Sequence, residues 1–166
     1  AALVERALKE HGAVACSIFV NPLQFNDPTY LRNYPRTLEA DMRLLSGLGC
    51  SALFMPSEAG IFANYTPRQY DLGGLDRYWE GPSRPGHFQG VVNVVERLFH
   101  YVRPDAAYFG EKDRQQLAII RHVARRLHWP ERIVPCATVR DPDGLALSSR
   151  NARLSDAERA EATILH

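Results

Sequence analysis

The sequence predicts an α/β domain built on a mainly parallel sheet, and three observations lead there. Short apolar runs without alternation, VACSIFV and SALFM among them, have the length of strands covered on both faces. Between them lie segments whose apolar residues recur every three or four positions, as on one face of a helix. The two kinds of segment alternate along 166 residues, the order that generates parallel crossovers.

Leu3, Val4, Ala7 and Leu8 share a helical face, and Gly12 is expected to close that helix in the left-handed conformation. Val14 to Val20 forms the first strand and stops at Asn21 and Pro22. After the polar stretch FNDPTYLRNYPR, residues Leu38, Met42, Leu45 and Leu48 mark a second helix, with Thr37 as N-cap and Gly47 and Gly49 loosening its end. Ser51 to Met55 forms the second strand. Residues 56 to 90 have no regular period, and their last part, GPSRPGHFQG, reads as a surface loop entering a helix with the stripe Val91, Val94, Val95, Leu98 and Phe99. AAYFG is the third strand, Leu117, Ile120, Ala124 and Leu127 mark the next helix, and RIVPC follows Trp129 and Pro130 as the fourth strand. Turn signals at Asp141 to Gly144 precede a capping box, Ser155 with Glu158, that opens a final helix running to His166. A parallel sheet normally begins with a strand, so a further strand ahead of Ala1 is expected, and the final helix lacks a partner for its apolar face.

Composition narrows the function. Twenty Lys plus Arg against nineteen Asp plus Glu leave a net charge of +1, so no global field recruits nucleic acid or an anionic membrane. Cys16, Cys50 and Cys136 are odd in number and match no zinc-ligand spacing, which points to a reducing compartment and a cytoplasmic protein. No apolar run approaches the roughly 20 residues a membrane span needs, and AALVERALKEHG lacks the order of a signal peptide.

In open α/β sheets, ligands sit outside the carboxyl ends of the strands, and the polar motifs fall there. NPLQF (Asn21 to Phe25) follows the first strand; GEKD (Gly110 to Asp113) follows the third and leads into a helix. A glycine at that junction lets backbone N–H groups approach a phosphate, while the helix N-terminus and Lys112 supply positive charge. ALSSRN adds two hydroxyls and an arginine, a set able to hold phosphate oxygens. Taken singly, each motif has a plainer reading. GEKD is then a charged helix start, SSRN a turn and cap, and NPLQF a proline turn with Gln24 solvated. Asp41 is an exposed charge, His87 a structural or solvated histidine, and His100, His122 and His128 are surface residues with no metal-site spacing.

SIFVNPLQF, YPRTLEAD, EGPSRPGHFQGV, YFGEKDRQQL and DGLALSSRN, in this order and over nearly the whole chain, resemble the pantothenate synthetase family. The resemblance implies a Rossmann-like nucleotidyltransferase fold, with an ATP- and pantoate-binding domain over 1–137 that lacks its N-terminal strand. It also implies the start of a small C-terminal lid domain over 138–166, and a homodimer. The implied reaction joins pantoate to β-alanine through a pantoyl-adenylate, using ATP with Mg²⁺ and releasing pyrophosphate and AMP. By the same resemblance Gln24 meets pantoate and β-alanine, Gln116 meets pantoate, and Asn21 shapes the pantoate pocket. ATP contacts fall to Gly110, Glu111, Lys112, Asp113, the backbone of Val139, Leu147, Ser148, Ser149 and Arg150, and Mg²⁺ to Asp41. Lys112 neutralises charge at the α-phosphate, and Ser148, Ser149 and Arg150 hold the departing pyrophosphate, so no protein nucleophile is required. Arg84 and His87 belong to a family motif without individual roles derivable from sequence. The chain departs from the family in lacking its Met-Gly-x-Leu-His-x-Gly-His signature, in Arg114 where an aromatic is expected, and in Asn93 where threonine is usual. Two alternatives stand beside this reading. One is another nucleotidyltransferase acting on a phosphorylated substrate, disfavoured by the neutral Gln24 and Gln116 where Arg or Lys would be expected. The other is a nucleotide-binding remnant or interaction module.

Overall fold

A computed structural model describes residues 1–25, 28–34 and 37–165. Asn26, Asp27, Pro35 and Arg36 of the polar stretch, and His166 at the expected end of the last helix, lie outside the described residues. The chain opens with α1 (Ala2–Glu10), β1 (Ala15–Ser17), a 3₁₀ turn (Pro22–Gln24), α2 (Pro28–Arg32), α3 (Leu38–Gly47), β2 (Ala52–Phe54) and α4 (Glu58–Ile61). A second 3₁₀ turn (Leu75–Arg77) and α5 (Glu80–Ser83) precede the long α6 (His87–Val102). Then come β3 (Ala106–Gly110), a 3₁₀ turn (Glu111–Asp113), α7 (Arg114–Arg126), β4 (Arg132–Cys136), a 3₁₀ turn (Ser149–Arg153) and α8 (Asp156–Ala162).

The strands are parallel, as expected, but they form separate pairs: Cys16 lies opposite Leu53 in β1–β2, and Tyr108 opposite Val134 in β3–β4. β1 and β2 are shorter than their apolar runs, and Ala15 and Ser17 are exposed instead of covered on both faces. The cause lies beside them. A groove of about 540 Å³ separates β1 from β3, roofed by Leu3, Val4 and Ala7 of α1 and lined by Val95, Leu98 and Phe99 of α6. α1 is fastened over β3 and β4: the Tyr108 hydroxyl donates to Glu10 at 2.7 Å, and Arg6 donates to the Pro135 carbonyl at 2.8 Å.

The core is centred on α6 rather than on a sheet. Val91, Val94, Val95 and Phe99 pack with Ile61 and Ile120 against β3 and β4, while Phe88 and Val92 pack with Leu72, Ile119 and Val123. A helix apolar on both sides is one enclosed by its neighbours. Several expectations change. Gly12 does not close α1, because His11 ends it in extended conformation. Thr37 stands at the N-cap of α3 but caps nothing, its hydroxyl donating to Asp41 at 3.2 Å. On α3 only Leu45 is buried, Leu38 and Met42 facing solvent, and Leu127 lies just past α7, also exposed. The capping box at Ser155 and Glu158 is complete.

Residues 62–79 have little regular structure, and side-chain amides of the helices take the place of a ladder. Gln89 donates to Tyr70 O and accepts from Tyr70 N, both at 2.9 Å. Asn93, 1% exposed, accepts from Arg68 N and the Tyr65 hydroxyl and donates to Arg68 O and Gln89 O. Threonine has too few polar atoms for this set, so the departure at Asn93 has a local structural reason. Among the described residues no helix is long and apolar enough to cross a membrane.

In a parallel pair, the N–H and C=O of alternate residues turn to opposite sides. Val14 O and Ile18 N bond to β2, and Asp105 O bonds to β4. Ala15, Ser17, Ala106 and Tyr108 therefore turn their amides to the groove, and Cys16, Ala107 and Phe109 turn theirs to a partner strand. Hydrogen exchange should be faster by about tenfold or more in the first set than in the second. Uniform protection of both sets would show that something fills the groove.

Candidate active site

The turn after β1 is built on the start of α6. Asn21, 2% exposed, accepts from Leu23 N at 3.2 Å and so caps the 3₁₀ turn Pro22–Gln24. Its amide nitrogen donates to Gly90 O at 3.0 Å and to Gln24 Oε1 at 3.2 Å. The approach demands glycine at residue 90, where an added Cβ would stand 2.1 Å from Leu23 O. One turn earlier on α6, His87 Nδ1 lies 2.9 Å from Gln24 O. Gln24 itself is half-buried.

His87 is buried at 5% exposure, its ring edge-on to Phe88. Burial holds its pKa below the ordinary value, against the Gln24 carbonyl, with the positive charges of Arg84 and Arg150 pushing the same way as burial. Arg150 of the SSRN motif is thus brought near the start of α6. Arg84 pairs with Glu80 at 2.7 Å. The segment holding Glu80 is fixed to α7 by Gln115, which accepts from Glu80 N and donates to Leu75 O and Tyr78 O at 2.8 and 2.7 Å. Sequence reasoning overlooked Gln115, although its spacing of four and eight from the buried Ile119 and Val123 puts it on the inward face of α7. Gln116, one residue on, is half-buried, and its side chain hydrogen-bonds to none of the described residues.

GEKD closes β3 and runs straight into α7 through the turn Glu111–Asp113. Gly110 has φ −71°, which any residue adopts, and an added Cβ would meet nothing within 4 Å. The chain itself therefore gives no steric reason for glycine there, and the space a Cβ would take is open. Lys112 and Asp113 are exposed, and Lys112 forms no ion pair among the described residues. Glu111 is half-buried.

ALSSRN follows a small antiparallel loop in which Leu147 N donates to Val139 O at 2.9 Å and Asp141 N to Leu145 O at 2.8 Å, with Gly144 at φ +90°. Arg159 of α8 secures the loop through Asp141 and Asp143, each at 2.8 Å. Val139 and Leu147 are exposed, and the Val139 carbonyl is already engaged. Ser148 caps the 3₁₀ turn by accepting from Arg150 N at 3.2 Å. Ser149 and Arg150 are exposed. Asp41, in the first turn of α3, adds its charge to burial and Cys50 in raising the Cys16 thiol. Among the described residues no cluster of three metal-ligating side chains exists, so Asp41 offers a single carboxylate. His100 and His128 are exposed as expected, but His122 is half-buried, its ring 2.7 Å from where a Cβ on Gly73 would stand.

Interactions thus link four motifs around one rim. Gln24 meets His87, His87 feels Arg150 and Arg84, and Glu80 meets Gln115 beside Gln116 and Lys112. Parallel strands flanked by helices, with polar groups on the turns that follow them, define an α/β protein of Rossmann-like class. The chain belongs to the pantoate-beta-alanine ligase family, whose profile matches residues 1–166. It is 51% identical over 162 residues to a pantothenate synthetase of Bacteroides thetaiotaomicron, covering 98% of this chain and 57% of that protein. It is 52% identical to one from Allorhizobium ampelinum, covering 98% and 56%. The chain therefore spans little more than half the length of these relatives. A crystal structure of the Thermus thermophilus pantothenate synthetase superposes with a TM-score of 0.94 at 49% identity, covering 99% of this chain and 60% of that one. The Francisella tularensis pantoate-beta-alanine ligase, solved in complex with beta-gamma ATP and beta-alanine, superposes with 0.90 at 38% identity, covering 98% and 63%.

The neighbouring glutamines should separate cleanly. Gln115→Ala breaks three part-buried hydrogen bonds to two carbonyls and an N–H and should cost about 1–3 kcal/mol of stability, whereas Gln116→Ala should change it by less than about 0.5 kcal/mol. Chemical denaturation of both variants measures this, and equal losses would contradict the division.

Proposed function

We propose that this chain is the ATP- and pantoate-binding part of a ligase that forms pantothenate from pantoate and β-alanine. The observation that carries this reading is the linked rim, which leaves Lys112, the Gln116 amide and the Gln24 NH₂ group without partners among the described residues, on or beside the turns after the strands. Relatives named for this activity, one of them crystallised with an ATP analogue and beta-alanine, support it.

In this reading the pantoate carboxylate attacks the α-phosphorus of ATP. An O–P bond forms, the bridging bond to the β-phosphate breaks, and pyrophosphate leaves. The amine of β-alanine then attacks the acyl carbon of the pantoyl-adenylate, AMP departs and the amine loses a proton to solvent. Both steps depend on placement and charge. Gln24 and Gln116, neutral amides, hold the acid through its hydroxyl and carboxylate oxygens, and Asn21 holds Gln24. Lys112 sits where a full positive charge meets the oxygens of the α-phosphate. Backbone groups of Gly110 to Asp113 and of Val139, where the N–H remains, receive the nucleotide, with open space at Gly110 that a Cβ would enter. Leu147, Ser148, Ser149 and Arg150 close over the phosphates, and residues 138–166 begin the lid that carries them. Mg²⁺ enters with ATP as part of the substrate. A single carboxylate beside phosphate oxygens suits that ion, and Asp41 would supply it. A homodimer accompanies this reading through the family resemblance.

Two experiments test it. Pantothenate formation from ATP, pantoate and β-alanine should be readily measured in a version extended to the length of the relatives, and be far weaker in the 166-residue chain. Comparable turnover by the two would place every essential group within these residues, and inactivity of both would reject the ligase reading. In the extended version Lys112→Ala should lower adenylate formation by roughly 10² to 10³ with much smaller loss of ATP affinity, since its charge acts on the transition state. Parallel losses in both would reduce Lys112 to a ground-state contact.

A further inference from the structure

The hydrogen bonds around Gln24 have a direction set by groups whose polarity is beyond choice. Leu23 N can only donate, so the Asn21 atom facing it is the oxygen. The other Asn21 atom is therefore nitrogen, in keeping with the Gly90 carbonyl, which can only accept. That nitrogen also meets the Gln24 side chain, so Gln24 must present Oε1 to it. The Gln24 NH₂ group is left facing the other way, with no hydrogen bond to the described residues. A similar deduction applies to the backbone. Gln24 O can only accept, so His87 Nδ1 carries a proton, and the buried ring with Arg84 and Arg150 nearby is neutral in that tautomer.

We propose that Asn21 and His87 are positioning residues that hold Gln24 in one orientation, so that it meets its ligand as a hydrogen-bond donor only and selects acceptor oxygens. The selection of an acid builds on the assignment of Gln24 to the pantoate pocket; the lock itself stands on the geometry. Glu80, Arg84 and Arg150 are the charged groups that act on His87, and the first pairs with the second. Neither Asn21 nor His87 touches reacting atoms in this scheme. The two act through the side chain and the carbonyl of one residue, and Gly90 fixes the distance over which they do so.

Asn21→Asp is the informative change. It keeps the acceptor for Leu23 N but offers no donor to Gly90 O or Gln24 Oε1, so Gln24 turns over and faces the ligand with its oxygen. Asn21→Asp should weaken pantoate binding roughly 10- to 100-fold, the effect of losing a hydrogen bond to a charged group, and leave ATP binding within about twofold. His87→Leu should weaken pantoate binding roughly tenfold, and His87→Asn, whose amide nitrogen can reach the place of Nδ1, should restore most of it. Calorimetry with pantoate and with ATP, run as double-mutant cycles against Gln24→Ala, gives the decision. In the Gln24→Ala background both changes should have little further effect on pantoate. Full additivity, or equal loss of pantoate and ATP binding, would show that these residues act on the fold at large and would overturn the proposal. The Gln24 side-chain NH₂ resonances, followed by NMR without ligand, read the lock directly: they should move in Asn21→Asp and His87→Leu and return in His87→Asn. Unchanged resonances overturn the proposal whatever the ligands do. Moved resonances in a chain that binds no pantoate would keep the lock and reject the acid reading.

Discussion

The backbone contact at Gly90 governs the rest of the site. α6 can support the turn after β1 only because residue 90 has no side chain, an added Cβ standing 2.1 Å from Leu23 O. That contact sets Asn21 against Gly90 O and His87 against Gln24 O, and through His87 it fixes where Arg84 and Arg150 exert their charge. α6 is itself immobilised by packing on both sides, against the strands with one face and against α7 with the other. The turn after β1 therefore inherits the rigidity of the most buried helix, which suits the orienting role proposed for Gln24.

Side-chain amides replace secondary structure elsewhere. Gln89, Asn93 and Gln115 pair with backbone groups of residues 68 to 80, a segment with few regular hydrogen bonds of its own. Each is costly to lose, because a buried backbone group stranded without a partner is destabilising by about 1–3 kcal/mol. Glu96 adds the hydroxyls of Tyr65 and Tyr70, whose pKa values are raised first by burial. Gln115 ties this segment to the start of α7, next to Gln116 in the chain.

The groove between β1 and β3 and the candidate site are different places. The groove runs between β1 and β3 under α1, with apolar helix faces above and below and strand edges on both sides. Those are the surroundings of a central parallel strand. The polar groups lie instead on the turns after the strands, where convergent donors and the Lys112 cation suit an anionic ligand. The groove is therefore a place for apolar packing, not for a polar ligand.

Helical stripes, the third and fourth strands and the Ser155 capping box were legible in the sequence, because each depends on neighbours within a few positions. The motif order drew attention to Gln24, Lys112, Gln116 and Ser148 to Arg150, and the family resemblance assigned them roles. What the sequence could not show is direction and partnership. Gln115 and Gln116 are indistinguishable as letters, yet the side chain of one is clamped to three backbone groups and that of the other bonds to none of the described residues. His87 reads like any histidine until α6 brings it, 63 residues along the chain, to the carbonyl of Gln24. β1 reads as a covered strand, but its exposure depends on what stands across the groove. Local propensity and composition are properties of a stretch of chain, whereas the polarity of a hydrogen bond and the burial of a face belong to the pair of elements that meet, and only the tertiary structure says which elements those are.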